Sequence, residues 1–300
     1  MTVELRILLL IALFAAGFIA RRIGWLKPPH AGRMLQLVIT VGLPALFLAD
    51  VSRVPLRADL IALPASAIII ILACGGASLL AGRMLGLQRP EQGAMTICAM
   101  SINNGFLFPF AIAVWGQVGF AQMALFDFGN ALCQGSLVYA IAAAYGGHGT
   151  GFAAIARRVL SFPPLWALLV ALLINVTGTH LPEVVTTVLG TMGRWILMLV
   201  IIALGVLFDA RLLGDRRVLA TLALRIVLGL AVGYACVLLF GLTGLTRSVL
   251  LLGAAAPIGF SAVVIANREN LHRELAASAA SISVLLALVF VPLALWLLPS

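Results

Sequence analysis

The chain has 300 residues, of which 63% are hydrophobic and only 10% charged, and its mean hydropathy is +1.17. That composition excludes an ordinary soluble domain and points to a polytopic membrane protein. The net charge of +9 would suggest a nucleic-acid partner in a soluble chain, but here Lys and Arg gather at the ends of apolar runs, where they report topology instead.

Allowing about 20 mostly apolar residues per crossing, the sequence reads as ten segments: 3–20, 31–52, 59–82, 92–115, 119–145, 160–178, 184–208, 217–241, 248–267 and 274–298. The first is taken as a spanning helix and not a signal peptide, because Arg21 and Arg22 follow the apolar run from Ile7 to Ala20, and only Arg6, offset by Glu4, precedes it. The fourth segment is interrupted by Ser101-Ile102-Asn103-Asn104-Gly105-Phe106-Leu107-Phe108-Pro109-Phe110. Adjacent amides, a glycine and a proline at membrane depth free backbone groups that lipid cannot satisfy, so this stretch must be buried in protein or line a cavity. The ninth segment carries a second break, Ala254-Ala255-Ala256-Pro257-Ile258-Gly259-Phe260-Ser261. We expect the two breaks to face each other and form a solute site.

The longest connection, Gly146 to Arg158, divides the chain into a first half, 1–145, a cytoplasmic link, 146–158, and a second half, 159–300. Thirteen Lys and Arg residues fall on the odd-numbered connections and four, Arg6, Arg53, Arg57 and Arg247, on the other side. The odd connections are therefore expected in the cytoplasm, with both termini outside a plasma (inner) membrane. Five spans per half place the halves in opposite orientations. The pairs Gly105-Phe106 with Gly259-Phe260, and Gly24 with Gly178, recur at a spacing of 154. Inverted five-helix repeats with broken helices at corresponding positions point to a secondary transporter with its site at the midplane.

At these residues the chain resembles the auxin efflux carrier family of bacterial permeases and plant auxin carriers. The likeness runs nearly end to end. It is carried by Gly17 to Leu26 leading into Val41-Gly42-Leu43-Pro44-Ala45-Leu46-Phe47, by Asn103 to Pro109, by Ser161-Phe162-Pro163-Pro164-Leu165, and by Pro257, Ala262 to Ala266 and Glu274 to Ser278. The proline of the fourth-segment signature comes one residue early. The resemblance implies an all-α, ten-helix inverted repeat in which helices four and nine cross at their breaks. It further implies a scaffold part of helices 1, 2, 6 and 7, a mobile transport part of helices 3, 4, 5, 8, 9 and 10, a homodimer through the scaffold, and organic-anion transport by an elevator-like movement.

The residues support an anion site in their own right. With half-helices starting near Pro109 and Pro257, two positive N-termini aim at the midplane, where proline's missing N–H costs nothing. The candidate substrate residues are Asn103, Asn104, Gly105, Pro109, Pro257, Ile258, Gly259, Phe260 and Ser261. Asp127 is the carboxylate placed well inside a span, with Asn130 on the same helical face, and the two are candidates for proton coupling. Arg194 is a candidate counter-ion for the substrate or for Asp127. Asp50 is placed near a span end within reach of water, and Arg225 is read as a snorkelling side chain. Cys74, Cys98, Cys133 and Cys236, and the unclustered His30, His148, His180 and His272, suggest no metal site and no cofactor.

The expected function is a carrier for a small organic anion in the lipid bilayer, coupled to protons or driven by membrane potential. A sodium-coupled symporter is the alternative within the same broad fold, and a membrane sensor or binding module without net transport is the alternative from another class. No HExxH, GxSxG or paired intramembrane carboxylates recommend an enzyme.

Overall fold

The computed structural model describes residues 3–55, 57–147, 151–209 and 214–297; His148 and Arg211 lie outside them. Among the described residues the secondary structure is helical, with one isolated antiparallel bridge between Ile102 and Ile258. The helices are α1 (Val3–Arg22), α2 (Pro28–Leu37), α3 (Leu43–Asp50), α4 (Ala62–Met84), α5 (Arg89–Met100), α6 (Asn104–Cys133), α7 (Tyr139–Gly146), α8 (Phe152–Leu160), α9 (Pro163–Val176), α10 (Glu183–Leu207), α11 (Arg216–Leu222), α12 (Gly229–Leu239), α13 (Gly244–Ala254), α14 (Phe260–Arg268) and α15 (Arg273–Leu297). Wide π turns join α2 to α3 at Val38–Gly42, α6 to α7 at Gln134–Val138 and α11 to α12 at Ala223–Leu228.

Among the described residues, six continuous helical stretches are long and apolar enough to cross a membrane: Pro28–Arg53, Ala62–Met84, Asn104–Gly146, Glu183–Leu207, Arg216–Leu239 and Arg273–Leu295. The stretch Asn104–Gly146 is not one rod. Gly116 adopts φ 62° and ψ −147°, and the Phe108 and Phe120 rings on either side of it stand 5.1 Å apart, so the chain folds back there. Gly24 and Gly178, each after the first helix of its half, are left-handed, with φ of 82° and 67°. Glycine carries no Cβ penalty in that conformation.

The helices pack most densely within two bodies, with α6 of the second also touching α1, α3 and α10 of the first. In the first, α1 lies along α10, and α3 packs between α10 and α9. The Arg21 guanidinium donates to the Val206 and Phe208 carbonyls at 2.9 and 2.7 Å, which satisfies orphan acceptors at the end of α10. Asn175 Nδ2 donates to the Val51 and Val54 carbonyls, both at 2.8 Å, and ties α9 to the turn after α3. In the second body α4 packs on α5, α6 and α12, and α13 packs on α6 and α12. Gly129 lets α6 rest on the Pro64 carbonyl, and Gly253 seats α13 on the Phe126 ring.

An ionic cluster closes one end of the second body. Asp215 caps α11 by accepting from Arg217 N at 2.8 Å, and the Arg217 guanidinium reaches Asp215 Oδ2 at 2.6 Å and Glu91 Oε1 at 2.5 Å. The side-chain hydrogen bond from Arg217 pulls the Asp215 carboxyl down from 3.8 to about 2. A depressed carboxylate adds stability above its unfolded value and loses it as pH falls through its folded one. Asp215→Asn keeps a good cap but drops the charge. The variant is expected to be less stable than wild type at pH 7, and the gap should close as pH falls from 3.8 toward about 2 in a thermal-unfolding series.

Two charged residues sit differently from the sequence expectation. Asp50 does not reach water but is buried, at 1% exposure, because the chain continues past it into the turn Val51–Arg53 that α9 covers. Arg225 does not snorkel: it is 0% exposed and turns inward at the π turn.

Candidate functional site

The breaks after α5 and α13 cross as a short antiparallel pair. Asn103 N donates to the Pro257 carbonyl at 2.9 Å and Gly259 N to the Ser101 carbonyl at 3.2 Å. Each break thus supplies partners for backbone groups that its own helix has released. Ser283 of α15 adds a third tie, its Oγ accepting from Ile258 N at 2.9 Å and donating to the Ala280 carbonyl at 2.7 Å.

The half-helices begin away from the two prolines. α6 starts at Asn104 with Asn103 as its cap, and α14 starts at Phe260 with Gly259 as its cap. Asn103 Oδ1 accepts from Phe106 N at 3.2 Å; this side-chain cap sets the start, since asparagine is among the strongest capping residues. Pro109 is buried inside α6, where, lacking an N–H, it leaves the Gly105 carbonyl without its helical donor. Pro257 lies within the second break. The echo of Gly105 with Gly259 does not align structurally, because Gly259 is a cap and Gly105 is the second residue of its helix.

Asp127 is held from two sides. Asn104 Nδ2 and Asn130 Nδ2 both donate to its Oδ1 at 2.8 Å, and Asn130 Nδ2 also reaches the Ile102 carbonyl at 3.3 Å. The Asn104 and Asn130 Oδ1 atoms are buried without a partner. Asn103 Nδ2 crosses to the Ile258 carbonyl at 3.4 Å. At the π turn, Gln134 bridges both breaks, accepting from Ser101 Oγ at 3.3 Å and donating to Ser261 Oγ at 3.2 Å.

A cavity of about 390 Å³ opens on this cluster. Of the candidate residues, Asn103, Asn104, Gly105, Gly259, Phe260, Ser261, Asp127 and Asn130 line it, whereas Pro109, Pro257 and Ile258 pack behind. Its opposite wall is apolar and comes from the other body, with Leu35, Val38, Leu43, Leu165, Val200 and Leu204. A larger cavity of about 850 Å³ shares Leu35, Ile39, Phe260, Ser261 and Ile265 with it and extends to Arg21, Asp209, Arg273 and Glu274. Arg194 is absent from both linings. It stands 3.8 Å from Asp50, within the first body, and not beside Asp127.

Sequence reasoning gave neither Gln134 nor Ser283 a place in the site. Neither carries a signal in one sequence, because a lone amide or hydroxyl in an apolar helix is ordinary. Arg225 did carry one: an arginine two turns inside a span is a functional candidate by default.

Among known proteins, the model of the family described as Membrane transport protein matches residues 152–296. The chain is 31% identical over 295 residues to a protein of Methanothermobacter thermautotrophicus described as an uncharacterized transporter, an alignment covering 96% of this chain and 95% of that one. A protein of Methanocaldococcus jannaschii with the same description is 22% identical over 303 residues, covering 97% of each.

Proposed function

The chain belongs to the auxin efflux carrier family of membrane transport proteins, and from that premise we propose that it is a secondary transporter of a small organic anion. In this reading the ten segments form an inverted repeat crossing at the two breaks, and the body holding the crossing moves as the transport part against a scaffold of α1–α3, α9 and α10. The observation that carries the proposal is the cavity itself. One face is polar, with the first turns of α6 and α14 converging on it, and a helix N-terminus favours an anion. The other face is apolar and belongs to the opposing body, as an elevator-like slide past a smooth wall requires. The substrate that fits is an acid with an apolar body, its carboxylate toward Asn103 and Ser261.

The cavity continues into the larger space beside Arg21 and Arg273, residues of connections assigned to the cytoplasm by their positive charge. The conformation is accordingly inward-facing, with both termini outside the inner membrane. Asp127 makes proton coupling direct: its negative charge opposes a bound carboxylate, and protonation removes the repulsion. Asp127→Asn is expected to keep transport while losing its acceleration by an imposed proton gradient. A normal gradient response in that variant removes Asp127 from coupling.

The unpartnered Asn104 and Asn130 oxygens favour one second reading, sodium coupling, since sodium seeks such acceptors. Purified protein would be screened by thermal shift against acetate, benzoate, phenylacetate, malonate and succinate, and the binding acids then assayed for uptake into proteoliposomes in sodium or choline buffer. A ligand at a hundred times its Kd adds about 2.7 kcal/mol to apparent stability. Uptake unchanged in choline supports proton or potential coupling. Uptake lost in choline establishes the sodium reading, and binding without uptake makes the protein a sensor.

A further inference from the structure

Arg225 is fully buried at the π turn between α11 and α12, and nothing in the transport cycle so far uses it. Its partners are both main-chain carbonyls at the end of α13: Nη2 donates to Ala254 O at 2.5 Å and Nε to Ala256 O at 3.3 Å. Its Nη1 is buried without a partner. Room for the guanidinium is built in, because a Cβ on Gly229 would stand 2.9 Å from Arg225 Nη2 and 2.8 Å from the Ala254 carbonyl.

A buried guanidinium carries its charge at a desolvation cost of several kcal/mol, so the position calls for a compensating partner. That partner is the C-terminus of α13, where unpaired carbonyls amount to about half a negative charge. Four helix ends meet at the crossing: the N-termini of α6 and α14, and the C-termini of α5 and α13. Their half-charges cancel on their own, and Arg225 tips the balance to positive once Asp127, on the same cavity, is protonated. It also fixes Ala254 and Ala256, the residues from which the chain turns into Pro257, Ile258 and Gly259. Those three make the pairing that holds Asn103 in place.

We propose that Arg225 is a positioning residue of the crossing, holding the α13–α14 break in register with Asn103 and giving the site its preference for anions. The second half rests on the anion reading above; the first does not. Hydrogen exchange with mass spectrometry on the full chain, over peptides covering 98–106 and 254–262, tests the first in Arg225→Lys, Arg225→Met and Gly229→Ala. Arg225→Met is expected to speed exchange in both peptides at least tenfold, Gly229→Ala to do so partly, and Arg225→Lys to restore most of the protection, with α10 unchanged. Crossing peptides as slow in Arg225→Met as in wild type overturn the positioning role. So does equal acceleration in every helix, or a lysine variant no better than methionine.

The same variants run against the five acids test the charge. Arg225→Met is expected to weaken every acid that shifts the wild type by about tenfold, and Arg225→Lys to keep its affinity. Undiminished affinity in Arg225→Met overturns the charge role. A panel in which no acid shifts the wild type overturns the anion reading and the charge role together, while the exchange result still decides the positioning.

Discussion

Asn103→Asp is expected to abolish organic-anion binding and transport while keeping the cap on α6. Asn103 does two jobs with two atoms. Its Oδ1 caps α6 at Phe106 N, and its Nδ2 reaches the Ile258 carbonyl across the crossing. Aspartate caps as well as asparagine, so the helix start survives. What changes is the other end of the side chain, where an N–H donor becomes a negative oxygen facing a carbonyl and the cavity. Asn103→Ala separates the effects differently, losing the cap as well, at about 1 kcal/mol. Asn104→Ala leaves the cap intact and removes one of the two donors on Asp127, so it should alter the gradient response more than stability. Uptake into proteoliposomes, read beside the thermal midpoint of each variant, distinguishes the three. Asn103→Asp that still carries the wild-type substrate at the wild-type rate would place the anion elsewhere.

That the breaks find protein partners was legible from one rule, that polar and helix-breaking residues at membrane depth must be satisfied by protein. Asp127 with Asn130 was legible for the same kind of reason: three residues apart on a helix, they share a face, and the structure joins them at 2.8 Å. Asn104 joining them was not, because the sequence places a connection at 116–118, where Gly116 turns the chain, but does not say how the two helices rotate to bring Asn104 onto Asp127. The starts of the half-helices were misplaced because proline is a frequent first helical residue, whereas here a capping asparagine six residues before Pro109 governs α6. Proline tolerates a place inside α6 because the carbonyl it strands, that of Gly105, sits beside a polar cavity.

The charged residues divide in the same way. Distance from the span end was the measure used for Asp50 and Arg225, and it assumes that a side chain near an end finds water. Both turn inward instead, Asp50 toward Arg194 across the first body and Arg225 toward the end of α13. Which way a side chain points around a helix is set by the neighbour it meets, and one sequence without its packing does not contain that direction.

Gly205→Leu is expected to be the most damaging single substitution outside the crossing, costing more than about 3 kcal/mol. Gly205 of α10 faces α1 so closely that even a Cβ would press on the Phe14 carbonyl and stand 2.8 Å from Phe18 N. Gly17 of α1 stands against the Ile202 carbonyl in the reciprocal position. The obstructing atoms are backbone, so no rotamer relieves the clash and the two helices must separate. Separation would also loosen what the close approach allows, the Phe14 and Phe18 rings set edge-on to Phe208 at 6.2 and 5.8 Å and Arg21 bonded to the end of α10. Gly76→Ala in α4 is the contrasting control, because a Cβ there meets nothing within 4 Å, and helix propensity alone predicts a gain of up to about 1 kcal/mol. Thermal unfolding followed by size-exclusion chromatography reads both. Comparable midpoints for the two variants would mean that the α1–α10 seam is not rigid. A yielding seam would also weaken the scaffold reading, because Val200 and Leu204, which form the wall opposite Asn103, are carried on that same helix.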